Sequence, residues 1–132
     1  MRTIKFRGKS IDSNEWLYGD LVRSSDMERC AILVNDRELY DECEVYPLSI
    51  GQFTGLYDKN GREIYEGDII GCDNPKIKHL IFYNEKEGRF MAALNGDIEN
   101  YFIGVCGLDS DRWMSSKEVI GNIHDNPELL KQ

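Results

Sequence analysis

The segment Ser49–Ile70 constrains the fold of this chain more than any other. It reads Ser-Ile-Gly-Gln-Phe-Thr-Gly-Leu-Tyr-Asp-Lys-Asn-Gly-Arg-Glu-Ile-Tyr-Glu-Gly-Asp-Ile-Ile, with glycine at positions 51, 55, 61 and 67. Short apolar runs separated by glycine and small polar residues specify strands joined by tight turns. Asn60-Gly61 is the strongest hairpin signal, since both residue types tolerate the positive φ of a tight turn. Asp58 and Gly55 belong to the same turn-forming set, as does Gly51. Glu66-Gly67-Asp68 interrupts the next run, and Asp68 is expected to hydrogen-bond its local backbone. The expected result is a small, strongly bent antiparallel sheet, and the segment holds no catalytic chemistry.

The rest of the chain agrees. Residues 3–9 alternate, placing Ile4, Phe6 and Gly8 on one face of a strand and Lys5, Arg7 and Lys9 on the other. Glu15–Val22 is expected as the next strand, with Trp16 and Tyr18 on one face and Leu17 and Leu21 on the other. Cys30–Val34 reads as a short buried strand, whereas the acidic segment 35–44 fits either a long hairpin loop or a turn of helix. Val45–Ile50 reads as extended around Pro47. Ile77–Tyr83 and Arg89–Leu94 form a strand pair about a turn in which Gly88 takes a left-handed conformation, and Asn95-Gly96 is a further turn. Tyr101–Cys106 reads as a strand or a buried helix, and Lys117–Ile123 as the last strand. Asn126-Pro127-Glu128 then has the cap, proline and acid of a helix start, with room for a turn or two.

Three blocks carry a family resemblance. Ile50-Gly-Gln-Phe-Thr-Gly-Leu-Tyr-Asp-Lys-Asn-Gly followed by Ile64-Tyr-Glu-Gly-Asp-Ile-Ile resembles the central signature of the YopX family, small proteins encoded by bacteriophages and prophages. Ile4-Lys-Phe-Arg-Gly-Lys with Trp16-Leu-Tyr-Gly-Asp-Leu, and Val119-Ile-Gly-Asn-Ile-His-Asp-Asn-Pro-Glu-Leu-Leu130, agree with it in the expected order. The resemblance implies a mainly β fold, an SH3-like, partly open β-barrel of short antiparallel strands ending in a short helical turn. It also implies a phage or prophage origin and brings no established activity. A single domain over residues 1–132 is expected, its N-terminal strands (1–48) packing on a barrel-like part (49–124).

Bulk properties narrow the function classes. A chain of 132 residues is long enough to bury a core. It has no apolar run near the ~20 residues of a membrane span and no signal-peptide core, so a cytoplasmic location is expected. The formal net charge of −8 disfavours general nucleic-acid binding by repulsion from phosphates. Cys30, Cys43, Cys72 and Cys106 are scattered, without a C-x-x-C pair or a nearby histidine, and read as free thiols rather than zinc ligands.

No catalytic constellation emerges. From Asp58, the positions an EF-hand would fill with glycine and a bidentate glutamate hold Glu63 and Ile69. Neither His79 nor His124 has a plausible nucleophile or ligand set, and no cofactor fingerprint is present. The best binding candidate is the cationic stripe Lys5, Arg7 and Lys9 beside Trp16 and Tyr18, a combination suited to phosphate pairing and stacking. Pairing with the protein's own carboxylates, with Trp16 as core, explains the same residues without a ligand. The functional expectation is a non-catalytic protein-interaction or assembly module that self-associates, without cofactor or metal. Nucleic-acid binding through the local basic face is the alternative, and an acidic DNA mimic that inhibits a host protein ranks below it.

Overall fold

A computed structural model describes residues 2–26, 28–36, 39–99, 102–104 and 116–131. The chain forms two compact units, residues 1–53 and 54–132. The architecture is mainly β and antiparallel, as expected, with two sheets that do not close into a barrel.

In the first unit the strands run in the order β4-β3-β2-β1-β5, with β1 (Phe6–Lys9), β2 (Trp16–Arg23), β3 (Cys30–Asp36), β4 (Leu39–Val45) and β5 (Gly51–Tyr57). The acidic segment read as a loop or helical turn is thus strand β4, paired with β3 from Cys30↔Val45 to Asp36↔Leu39. The period-2 pattern of β1 to β3 sends Phe6, Leu17, Leu21, Cys30, Ile32 and Val34 to one face, where they pack with Val45 and Ile50. The meander is sharply curled. A bridge between Ser10 and Val45, with Tyr46 N donating to Lys9 O at 3.0 Å, returns the end of β4 to the end of β1. Gly8 permits that approach, because a Cβ there would lie 2.8 Å from Val45 Cγ2. Pro47–Ser49, expected as extended, forms a 3-10 turn that leads into β5.

β5 pairs with β1 at its start and continues into the second unit, where it lies beside β6 (Glu63–Tyr65). A second sheet of order β10-β9-β8-β7-β11 comprises β7 (Asp68–Gly71), β8 (Lys78–Asn84), β9 (Arg89–Leu94), β10 (Phe102–Gly104) and β11 (Glu118–Asn122). Ile64, Ile70, Ile81, Ala92 and Val119 form its core, with Leu56 and Phe90 against them. The backbone of Phe102–Gly104 settles the strand-or-helix alternative there in favour of a strand; Tyr101, Val105 and Cys106 lie outside the described residues.

The turns of the glycine-rich segment are present, with two differences. Gly51 is a strand residue opposite Arg7, and Gly55 bends β5 from within at φ 86°. At the β5–β6 hairpin Gly61 alone takes positive φ (80°), so the loop is longer than a two-residue turn. The cause is Asp58. Its backbone N donates to Arg62 O, while its Oδ1 accepts Asn60 N and Arg62 N, each at 2.9 Å. Its Oδ2 accepts Val119 N at 3.0 Å, tying the hairpin to β11. At the next turn Gly67 takes φ 95°, Glu66 precedes it, and buried Asp68 accepts Tyr65 N at 2.7 Å through Oδ2, as its position implied. The Asn95-Gly96 and Gly88 turns also take their expected positive φ. At the C-terminus the expected helical turn is a 3-10 turn, Pro127–Leu130, and Asn126 does not cap it. Its Oδ1 instead accepts Asn122 N at 3.2 Å.

Asp58→Ala removes three acceptor contacts and leaves the buried Val119 N–H without its carboxylate. The substitution should cost about 3 kcal/mol at neutral pH, and Asp58→Asn about half of that. Urea unfolding of the two variants beside the parent chain measures both, and a loss for Asp58→Ala within error of zero would refute this account of the hairpin.

Candidate functional site

The cationic stripe and the aromatics expected beside it share one face of the first unit. Cross-strand pairing sets Arg7 opposite Tyr18 and Lys9 opposite Trp16, on the face away from the apolar core. The Arg7 guanidinium lies 4.7 Å from the centre of the Trp16 ring, and Lys9 Nζ lies 5.8 Å from the same ring. Phe53 completes the row: its N donates to Lys5 O, and Lys5 Nζ stands 5.8 Å from its ring. The residue spacing did not single out Phe53, since its place depends on how β5 registers against β1.

Exposure divides this face. Arg7 is 3% exposed and Phe53 is buried, Lys5, Lys9 and Trp16 are half-buried, and Tyr18 is 44% exposed. A buried guanidinium stacked on indole is a packing element, because its charge and its stem are both committed. Lys5 and Lys9 are less buried than Arg7, and each stands near the outer limit of cation–aromatic attraction.

The other end of the unit is acidic. β4 ends the strand order, and among the described residues no strand lies beyond Leu39–Cys43. Glu44 O, by contrast, accepts Ile11 N at 3.1 Å, so the far end of β4 is covered. Asp41 and Glu42 are exposed, and neither is in a salt bridge among the described residues. Glu44 does pair, with Arg29 Nε at 3.2 Å. A shallow cleft of about 400 Å³ runs beside this pair, lined by Val22, Arg23, Cys30, Ala31 and Glu42 among others.

The second unit contributes two titratable groups of note. His79 in β8 is buried, and burial, with the charge of Lys117 added, pushes its imidazole below the ordinary value. Asp58 moves down as well: burial opposes its charge, but the N–H groups of Val119, Arg62 and Asn60 outweigh that. Cys30, Cys43 and Cys72 are free thiols, while Cys106 lies outside the described residues. Among the described residues no three His, Cys, Asp or Glu side chains are placed to hold a metal, and no helix is long and apolar enough to cross a membrane.

Two antiparallel sheets that do not close into a barrel define a small β domain, and among the described residues its distinctive features are charged edges and loops. A family model described as YopX protein matches residues 5–131, and the chain belongs to the YopX family. Among solved structures it is similar to the crystal structure of protein EF1440 from Enterococcus faecalis, at 28% sequence identity and a TM-score of 0.60. That match covers 99% of this chain and 100% of the other. No curated protein matches.

Two outcomes follow from this geometry. Arg7→Ala should destabilise the fold by about 2 kcal/mol through lost packing and stacking, while Lys5→Ala and Lys9→Ala stay within about 0.5 kcal/mol. Equal effects in chemical denaturation would contradict the division between a packed cation and two surface ones. For His79, the unfolded chain takes the proton first as pH falls below about 6.5. Its contribution is therefore intact above that value and is lost as pH falls toward the lower folded-state pKa. An NMR titration placing the folded imidazole above the ordinary value would reverse the sign.

Proposed function

We propose that this YopX-family protein is a non-catalytic, phage- or prophage-derived module that acts in the bacterial cytoplasm and binds a protein partner. It takes an extended, basic segment of that partner onto the edge of β4. The observation that carries this reading is the stretch 39–43, which no strand among the described residues covers and which contains Asp41 and Glu42. An uncovered strand edge offers a row of backbone donors and acceptors, and adding a strand to it is a common mode of peptide recognition. Carboxylates along that edge repel most strands and select one whose cations match them. The net charge of −8 supports the same choice by drawing basic partners toward the molecule.

The same charges bear on self-association. Pairing β4 with its own copy would set Asp41 and Glu42 among like charges, which is destabilising. A homo-oligomer would therefore use a different surface from the partner edge. Nucleic-acid binding through the stripe gains less support, because Arg7, its central cation, is buried against Trp16.

The test is a titration of amide-labelled protein with two extended peptides, one alternating Lys with Thr and one alternating Glu with Thr. The basic peptide should bind and slow hydrogen exchange at residues 39–43, and the acidic one should not. Asp41→Lys combined with Glu42→Lys should invert the preference. Binding of neither peptide, or binding without protection at 39–43, would refute the edge as the site.

A further inference from the structure

A second charged feature lies in the other unit and is independent of the β4 edge. Three segments distant in sequence meet around a cleft of about 440 Å³: the end of the β7–β8 loop and start of β8 through Pro75, Lys76 and Lys78, the turn after β9 through Asn95, and the C-terminal turn through Leu129 and Lys131.

The segments are fixed to one another. Asn74 Oδ1 accepts Lys76 N at 3.0 Å and Asn74 O accepts Ile77 N at 3.0 Å, which holds the loop. Asn95 N donates to Lys78 O at 2.8 Å, joining turn and strand. A Cβ on Gly96 would lie 3.1 Å from Leu130 Cδ1, so the C-terminal turn packs directly on the Asn95-Gly96 turn. The cleft is therefore a place where the backbone is held, and three lysines from two segments line it.

Three lysines lining one cleft give it a local positive charge that favours an anion there. In a chain with 24 acidic residues, cations are readily neutralised by carboxylates. Yet among the described residues none of Lys76, Lys78 and Lys131 is in a salt bridge. Asn95 adds an amide able to donate or accept, while Pro75 and Leu129 supply apolar wall. A volume of that order suits a small molecule, since ligand clefts begin at about 300 Å³.

We infer that this cleft binds the phosphate group of a small phosphate monoester, with the three lysines on the oxyanion and the organic body against Pro75 and Leu129. Neither the family match nor the β4 edge bears on this site.

The experiment is an NMR titration of the full chain with three probes: inorganic phosphate, phenyl phosphate and a short oligothymidylate. Phenyl phosphate should shift amides at 74–78, 95–96 and 129–131, bind more tightly than inorganic phosphate, and weaken with added salt. The variant Lys76→Gln, Lys78→Gln, Lys131→Gln should lose about tenfold or more in affinity while keeping the parent's thermal melt. The corresponding triple arginine variant should retain binding. Inorganic phosphate binding as tightly as phenyl phosphate would remove the organic body from the proposal and overturn it. Tighter binding of oligothymidylate would make the occupant a nucleic acid, with the same effect. Shifts that persist in the glutamine variant, or no shifts at all, would overturn the site itself.

Discussion

The second unit depends on one carboxylate. Asp58 sits at the tip of the β5–β6 hairpin, yet its Oδ2 holds the N–H of Val119, 61 residues further along the chain. Lys59 N donating to Lys117 O at 2.9 Å and Asn60 Nδ2 reaching Glu118 Oε2 at 3.3 Å reinforce the same junction. These contacts place the start of β11 where its remaining residues can pair with β7, and they close the core formed by Ile64, Ile70, Ile81, Ala92 and Val119. A buried charge is normally unfavourable, but a carboxylate that receives several backbone N–H bonds keeps its charge and orders the donors. The loop between the two segments is long, so a specific anchor at its closure does more than generic apolar contact to define which residues meet.

Much of this was legible before any coordinates. β1 was visible because an apolar face alternates with a cationic one, β9 because an apolar run follows the Gly88 turn, and the Asn95-Gly96 and Gly88 turns because their residue types tolerate the positive φ they adopt. β4 was not legible. Its sequence, Leu-Tyr-Asp-Glu-Cys-Glu-Val, lies at an edge with exposed acidic positions, so no apolar alternation marks it, and pairing with β3 makes it a strand. The hairpin at Asn60-Gly61 was legible as a hairpin but not in its loop form, because the deciding acceptors belong to Asp58 two residues earlier. The same kind of local competition redirected Asn126, whose side chain turns back to Asn122 instead of capping the turn after it.

The candidate sites were less legible than the fold, for a physical reason. A run of alternating cations announces a face, but not whether that face is covered. Arg7 sits in the middle of the stripe and is the most buried of its three cations, stacked on Trp16 as a structural member. Lys76 and Lys78, by contrast, are a short pair in the sequence, and Lys131 joins them at one cleft only because the C-terminal turn folds onto the turn after β9. Sequence adjacency thus overstated one basic surface and hid the third member of another.

Net charge misleads in the same way when it is treated as uniform. Screening in physiological salt confines the influence of an exposed charge to roughly 8 Å, so a partner at contact senses a local arrangement and not the total. On this chain the local arrangements differ in sign. The edge of β4 is acidic at Asp41 and Glu42, and the cleft of the second unit is basic at three lysines. A molecule with a formal charge of −8 can therefore present a surface for a cationic strand and a separate one for an anion. The long-range field affects how fast each ligand arrives, speeding a basic segment and slowing a phosphate, while the residues at each site determine what stays. Similarity to EF1440 extends over the fold and leaves this charge geography open, because at 28% identity most positions differ. The shared fold does not by itself assign a function, which has to be argued from the local arrangement of charge at each site.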